Sequence, residues 1–212
     1  MTNERQEGDL TVAVELTSER IKMTALKHFA QFGYEGASMA NIAEEVGIRK
    51  QSIYTHFKGK DELLLEVLDD VLEEELRFLD DYTETHKESR LEDFLYGFLL
   101  QYRDRYGNDD FTKFLLRMLF FQPAHLSKEA EEFGRKYVDH LEEMLILAAS
   151  KGEEDGRIDS ELGARPAAVA YTGVLDGLFF ELLTGDASRV QEKLDFSWRV
   201  YWRGVSSKRS RT

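Results

Sequence analysis

Apolar residues recur at intervals of three and four from Ile21 to Trp202, with no sustained period-two alternation, and this spacing most narrows what the chain can become. Only 2 prolines stand in 212 residues, so long helices are allowed. After a polar arm over residues 1–17, Ser18 is placed to cap a helix with Ile21, Ala25, Phe29 and Phe32 on one face, ending at Gly33. Ser38 caps a short second helix with Met39, Ile42, Ala43 and Val46 inward, stopped by Gly47. A third segment runs from Ile48 to Phe57, and Lys60-Asp61-Glu62 opens a fourth helix through Leu79. Beyond residue 90, five more stretches are helix-periodic: Leu91 to Tyr106, Phe111 to Phe121, Ser127 to Ser150, Arg165 to Leu183 and Ala187 to Gly204. The fold class is therefore all-α, and residues 206–212, with Lys208, Arg209 and Arg211, read as a flexible basic tail.

Charge and composition remove several function classes. Zero Cys excludes disulfides, thiolate chemistry and sulfur-bound zinc. No stretch reaches the roughly 18 to 20 apolar residues of a membrane span, and Met1 to Glu15 lacks the basic start and apolar run of a signal peptide. The expectation is a cytoplasmic protein with no membrane partner. Five His are scattered without metal-ligand spacing, and the acidic loop Glu153 to Asp159 has Lys151 and Leu162 where a calcium loop needs ligands, so neither metal nor cofactor is expected. No nucleophile, phosphate-loop or dinucleotide motif occurs, so no catalytic residue is assigned and an enzyme is not expected; the run Glu73-Glu74-Glu75 reads as a solvated helix face.

Residues 1–65 hold eight Lys/Arg against ten Asp/Glu, which leaves −11 of the net −13 to the rest of the chain. Gly47 to Lys60 carries Arg49, Lys50, Lys58 and Lys60 and no acid, a local anion-facing patch on an otherwise acidic protein. The same stretch, with the helix before it, has the form of a helix-turn-helix. Ile42, Ala43, Val46, Ile48, Ile53 and Phe57 face back, while Arg49, Lys50, Gln51, Ser52, Tyr54, Thr55 and His56 face out with many hydrogen-bond donors. Small helical hairpins with a glycine turn are common, so this pattern alone leaves DNA binding and plain packing both open.

Residues 20–65 go further. Ala25, Phe29, Gly33 and Tyr34, then Ser38-Met39, Ile42-Ala43 and Gly47-Ile48, then Ile53-Tyr54-x-His56-Phe57-Lys58-x-Lys60-x-x-Leu63, resemble the TetR/AcrR family of transcriptional regulators. The resemblance implies a three-helix DNA-binding domain over 18–63 and a helical ligand-binding and dimerisation domain over 64–205. It implies that Ser38 and Met39 touch phosphate, that Lys50, Gln51, Ser52 and Thr55 lie in or beside the groove, that Tyr54 and His56 contact the backbone, and that Lys60 holds phosphate. Two positions depart from the family pattern. Arg49 replaces the usual Ser or Thr cap and Gln51 a small residue; Arg pairs with guanine and Gln with adenine, so both are candidates to read sequence, Arg49 equally to touch phosphate.

Aromatics crowd residues 94–137, a pattern that is core as readily as pocket. In families that this chain resembles, the corresponding helices surround an inducer, which makes Phe98, Tyr102, Phe114, Met118, Phe121, Tyr137, Tyr171 and Phe179 candidate pocket residues, with Arg103, Arg117, Glu143 and Asp176 as charged candidates. Gly173 and Gly177 permit close helix approach, and Phe180, Phe196, Trp198, Val200 and Trp202 add apolar area suited to a homodimer. The expected function is a ligand-responsive repressor that binds a palindromic operator as a dimer and is released by a small-molecule inducer. The competing reading is a helical adaptor that binds protein through its acidic body.

Overall fold

The computed structural model describes residues 3–185 and 187–207. Among them every regular element is a helix, and the only bridge is an isolated antiparallel one between Ile158 and Ser206. In chain order these are α1 (Asn3–Gly36), α2 (Met39–Val46), α3 (Lys50–Ile53), α4 (Lys60–His86), α5 (Leu91–Asn108), α6 (Asp110–Phe120), a 3-10 turn (Ala124–Leu126), α7 (Ser127–Glu154), α8 (Ala164–Thr184) and α9 (Ala187–Val205).

Most boundaries fall within a few residues of those the periodicity gives, because capping and glycine chemistry set them. The exceptions are instructive. Backbone helix begins at Asn3, so the expected arm is helical and Ser18 falls inside α1 rather than capping it; Glu, Arg, Gln and Leu in residues 3–17 favour helix and no proline interrupts. Gly33, at φ 71° and ψ 177°, breaks that helix where the glycine signal places its end. Segment 48–57 is regular helix only over Lys50–Ile53. Its end is cut short where the Thr55 hydroxyl donates to the Ser52 carbonyl at 2.7 Å and competes with the helical ladder. The basic tail lies outside the described residues from Lys208 onward.

The chain forms two compact units, Met1–Glu73 with Lys113–Phe133, and Glu74–Thr112 with Gly134–Thr212. By packing, α6 from Lys113 onward lies with the first unit, a grouping that the expected boundary at residues 63 and 64 does not describe. There Phe114 packs on Phe29 with ring centroids 6.4 Å apart, and the Arg117 guanidinium donates to the Ala30 carbonyl at 3.1 Å, beside the carbonyls that the Gly33 break frees. Ile21, Phe29, Ile42, Ile53, Leu63 and Leu64 are fully buried in this unit.

The second unit is built on aromatics. Tyr102 meets Phe98 and Phe179 edge-on at 5.0 Å each, and its hydroxyl shares a 2.6 Å hydrogen bond with that of Tyr137. The solvated face expected for the acidic run fails at Glu75, which is wholly buried. It shares the stripe of Val71, Leu79 and Tyr82, and Arg105 reaches it with two hydrogen bonds of 2.8 and 3.0 Å. Burial outweighs the Arg105 guanidinium and the carboxyl is pushed up to about 6. Helix α8 is, contrary to the sequence expectation, long and apolar enough by length and composition to cross a membrane, with mean hydropathy 1.3. It carries Asp176 and Glu181 and buries one face in the second unit, with Tyr171 donating to the Leu95 carbonyl and the Tyr201 hydroxyl to that of Ala167 at 3.0 Å.

Candidate nucleic-acid interface

Local caps build the surface between α2 and α3. Ser38 is extended and its hydroxyl accepts from the Ala40 N–H at 3.2 Å, starting α2. Gly47, at φ 82°, ends it with the paired bonds of a Schellman turn, its own N–H to Ala43 and Glu44 and that of Ile48 to Ala43 at 2.9 Å. Arg20 adds a 2.8 Å hydrogen bond to the Val46 carbonyl. These bonds fix the reversal after which Ile53 and Phe57 turn inward, both buried.

The outward side chains of the expected set are brought together on this one short stretch. Arg49, Lys50, Gln51 and Thr55 are exposed, Tyr54 is 47% exposed, and Ser52 and His56 are half-buried. Arg49 opens α3 without a side-chain cap bond, as its replacement of Ser or Thr implies. Nearby Glu45 is paired with Lys27 at 2.6 Å and His28 at 2.8 Å, bonds that hold its carboxyl below the usual range and offset its charge beside the basic patch.

Two expected phosphate contacts are placed differently. Met39 is 7% exposed, with its side chain in the core, which leaves only its backbone N–H for an outside partner. Lys60 gives two ammonium protons to the carbonyls of Tyr34 at 2.8 Å and Ala37 at 3.2 Å and sits 4.0 Å over the Tyr34 ring, so it first ties α1 to α4. Around it, the Tyr34 hydroxyl donates to Asp61, and His125 lies 3.2 Å from the same carboxylate oxygen. Burial and Asp61 keep the Tyr34 phenol well above its ordinary range, so it remains a donor.

The expected pocket residues are divided between the two units. Phe98, Tyr102, Tyr137, Tyr171 and Phe179 are close-packed core of the second unit. Phe114 and Met118 are buried in the first unit, and Phe121 there is 54% exposed. Aromatic rings at helical spacing find one another before they find a ligand. Among the charged candidates, Arg117 is used at Ala30, Arg103 donates to Asp104 and Gln191, and burial raises the Asp176 carboxyl. Glu143 does line a cavity, one of about 750 Å³ in the second unit between the end of α4, the start of α5 and α7. Its apolar side is made by Leu91, Phe94, Met144, Leu147 and Ala148, none of which is in the expected set. The signal was present as Leu91–Phe94 and Met144–Leu147, each three apart on one helix face, but periodicity does not say which faces stop short of contact.

The comparisons bear on the same stretch. The family described as bacterial regulatory proteins, tetR family, matches residues 23–67, from within α1 to the start of α4. The HTH-type transcriptional repressor AcnR of Corynebacterium efficiens is 26% identical over 175 residues, 81% of this chain and 85% of that protein. A TetR-family regulator of Agrobacterium tumefaciens shares the fold at TM-score 0.71 and 18% identity, with 92% of this chain and 100% of that one covered. The regulator FadR of Bacillus subtilis, solved with stearoyl-CoA, does so at TM-score 0.61 and 20% identity over 88% of this chain and 98% of that one. The helix-turn-helix presented by the caps described above is thus the stretch that the tetR family of bacterial regulatory proteins matches, and along most of its length the chain is similar to a transcriptional repressor and shares the fold of TetR-family regulators.

Proposed function

We propose that the chain is a cytoplasmic homodimeric repressor that reads a palindromic operator with Arg49 to His56 and leaves it when a small molecule binds the second unit. The observation that carries this reading is the acid-free, exposed donor surface from Arg49 to Thr55 in a chain of net charge −13. A polyanion is attracted there and repelled elsewhere. Lys50, Gln51, Ser52 and Thr55 lie in or beside the groove, Ser38, Tyr54 and His56 serve phosphate, and Lys60 keeps one proton for it. Repression is supported by AcnR, and a bound effector by the stearoyl-CoA of FadR.

Dimerisation is supported by an uncovered stripe. Val169, Gly173, Gly177 and Phe180 on α8 are exposed, as are Phe196 and Val200 on α9, and no atom lies within 4 Å of a Cβ added at either glycine. Two such helix pairs make a four-helix bundle with close backbone approach. A two-fold dimer sets its recognition helices about 34–36 Å apart, one DNA turn. An effector that prefers the splayed form shifts the equilibrium by its differential affinity, typically about 1–3 kcal/mol. Helix α4 runs from Lys60 to His86, from the first unit to the cavity lining, and serves as the connection.

A gel shift on the chain's own upstream DNA tests the reading. Binding should be specific over random duplex and fall steeply with salt; equal affinity for both duplexes, or none, overturns it.

A further inference from the structure

The cavity of the second unit has an apolar side and a charge-balanced rim. At about 750 Å³ it lies in the range of small-molecule sites. Leu91, Phe94 and Met144 are buried in its wall, and Leu147 stands 66% exposed over it. Five carboxylates and four basic side chains ring it. Two of the basic groups are matched locally: Lys87 with Glu84, and Arg90 with Glu92 at 3.5 Å. Such a rim has little net field with which to hold an ion, and an ion set against the apolar wall loses hydration without a fixed counter-charge.

The two imidazoles narrow the choice further. His86 lies 2.9 Å by Nδ1 from the Tyr82 carbonyl, and its ring stacks on that of Tyr82 at 4.1 Å. A carbonyl only accepts, so Nδ1 carries the proton and the neutral ring has Nε2 left as an acceptor. His140 spends Nε2–H on Asp80, which leaves Nδ1 as an acceptor. Both rings line the cavity. Resting on the reading that the second unit binds an effector, we propose that this cavity takes a neutral, mostly apolar molecule with one hydroxyl donor, an aliphatic alcohol or phenol in preference to a carboxylate or ammonium ion of equal size.

The test uses the full chain and Nile red, a neutral apolar fluorophore without a donor, at about pH 8. Decan-1-ol, its methyl ether, decanoate and decyltrimethylammonium compete below their aggregation concentrations. Decanol should displace the dye at concentrations about ten-fold lower than the other three, the scale of one hydrogen bond. Replacing both His86 and His140 by Phe should bring decanol and the ether level. Leu147→Gln, at an exposed position that does not threaten the fold, should weaken dye and decanol alike. Equal or better competition by either ion, no advantage of decanol over the ether, dye binding untouched by Leu147→Gln, or no dye binding at all would each overturn the assignment. Adding decanol to the gel shift separates the two claims. Competition without DNA release leaves the ligand class standing and removes the effector role, whereas release by decanoate alone does the reverse.

Discussion

Gln51 and Lys60 are placed for different parts in the proposed recognition. Gln51 is exposed, and its amide can pair bidentately with adenine. Gln51→Ala should therefore cost about 1–3 kcal/mol on the operator and relax discrimination at one base pair, as measured by binding to a single-substitution operator panel; equal losses on operator and random DNA would refute that role. Lys60 spends two protons inside the protein, so Lys60→Ala should lower the melting temperature of the first unit as well as weaken binding to all sequences. In the second unit Glu75 makes stability depend on pH. Its folded pKa of about 6 lies above the ordinary 4.5, so the folded state holds its proton longer and stability falls as pH rises through that window. Relative to Glu75→Gln, the native chain should lose about 1.5 kcal/mol between pH 4.5 and 6.5 in urea denaturation, the part of the shift that falls in that window at 1.36 kcal/mol per unit. A flat difference would remove the argument.

At the scale of elements, the reading surface depends on where α2 stops. Gly47 holds a left-handed conformation with nothing within 4 Å of a would-be Cβ, so Gly47→Ala meets backbone strain and no clash. It should cost about 1–2 kcal/mol of stability, read by thermal melting, with a parallel loss of operator affinity. Caps and glycines were legible in the sequence because they act within four or five residues. The short extent of α3 was not, since it turns on a Thr55 hydroxyl choosing the Ser52 carbonyl. The assignment of α6 to the first unit was also hidden: it follows from Phe114 meeting Phe29 and Arg117 meeting Ala30, contacts 85 and more residues apart.

For the whole molecule, the uncovered stripe of α8 and α9 makes a sharp expectation. Val200 is 74% exposed, so Val200→Glu should leave the monomer's fold within about 0.5 kcal/mol. In sedimentation it should shift the mass from twice 24.6 kDa toward 24.6 kDa and weaken operator binding at low protein concentration. An unchanged mass would place the interface elsewhere. Taken by itself, the sequence determined the helices, most of their ends and the polar face of the helix-turn-helix, because hydrophobic period, capping and turn chemistry are local and each residue reports its own part. Tertiary structure alone decided which aromatics close into core, that Glu75 goes inside against Arg105, and that a cavity opens at Leu91, Phe94 and Met144. Those outcomes rest on how faces from distant segments meet, and the volume left between packed helices is a property of the fit, which no single stretch of chain encodes.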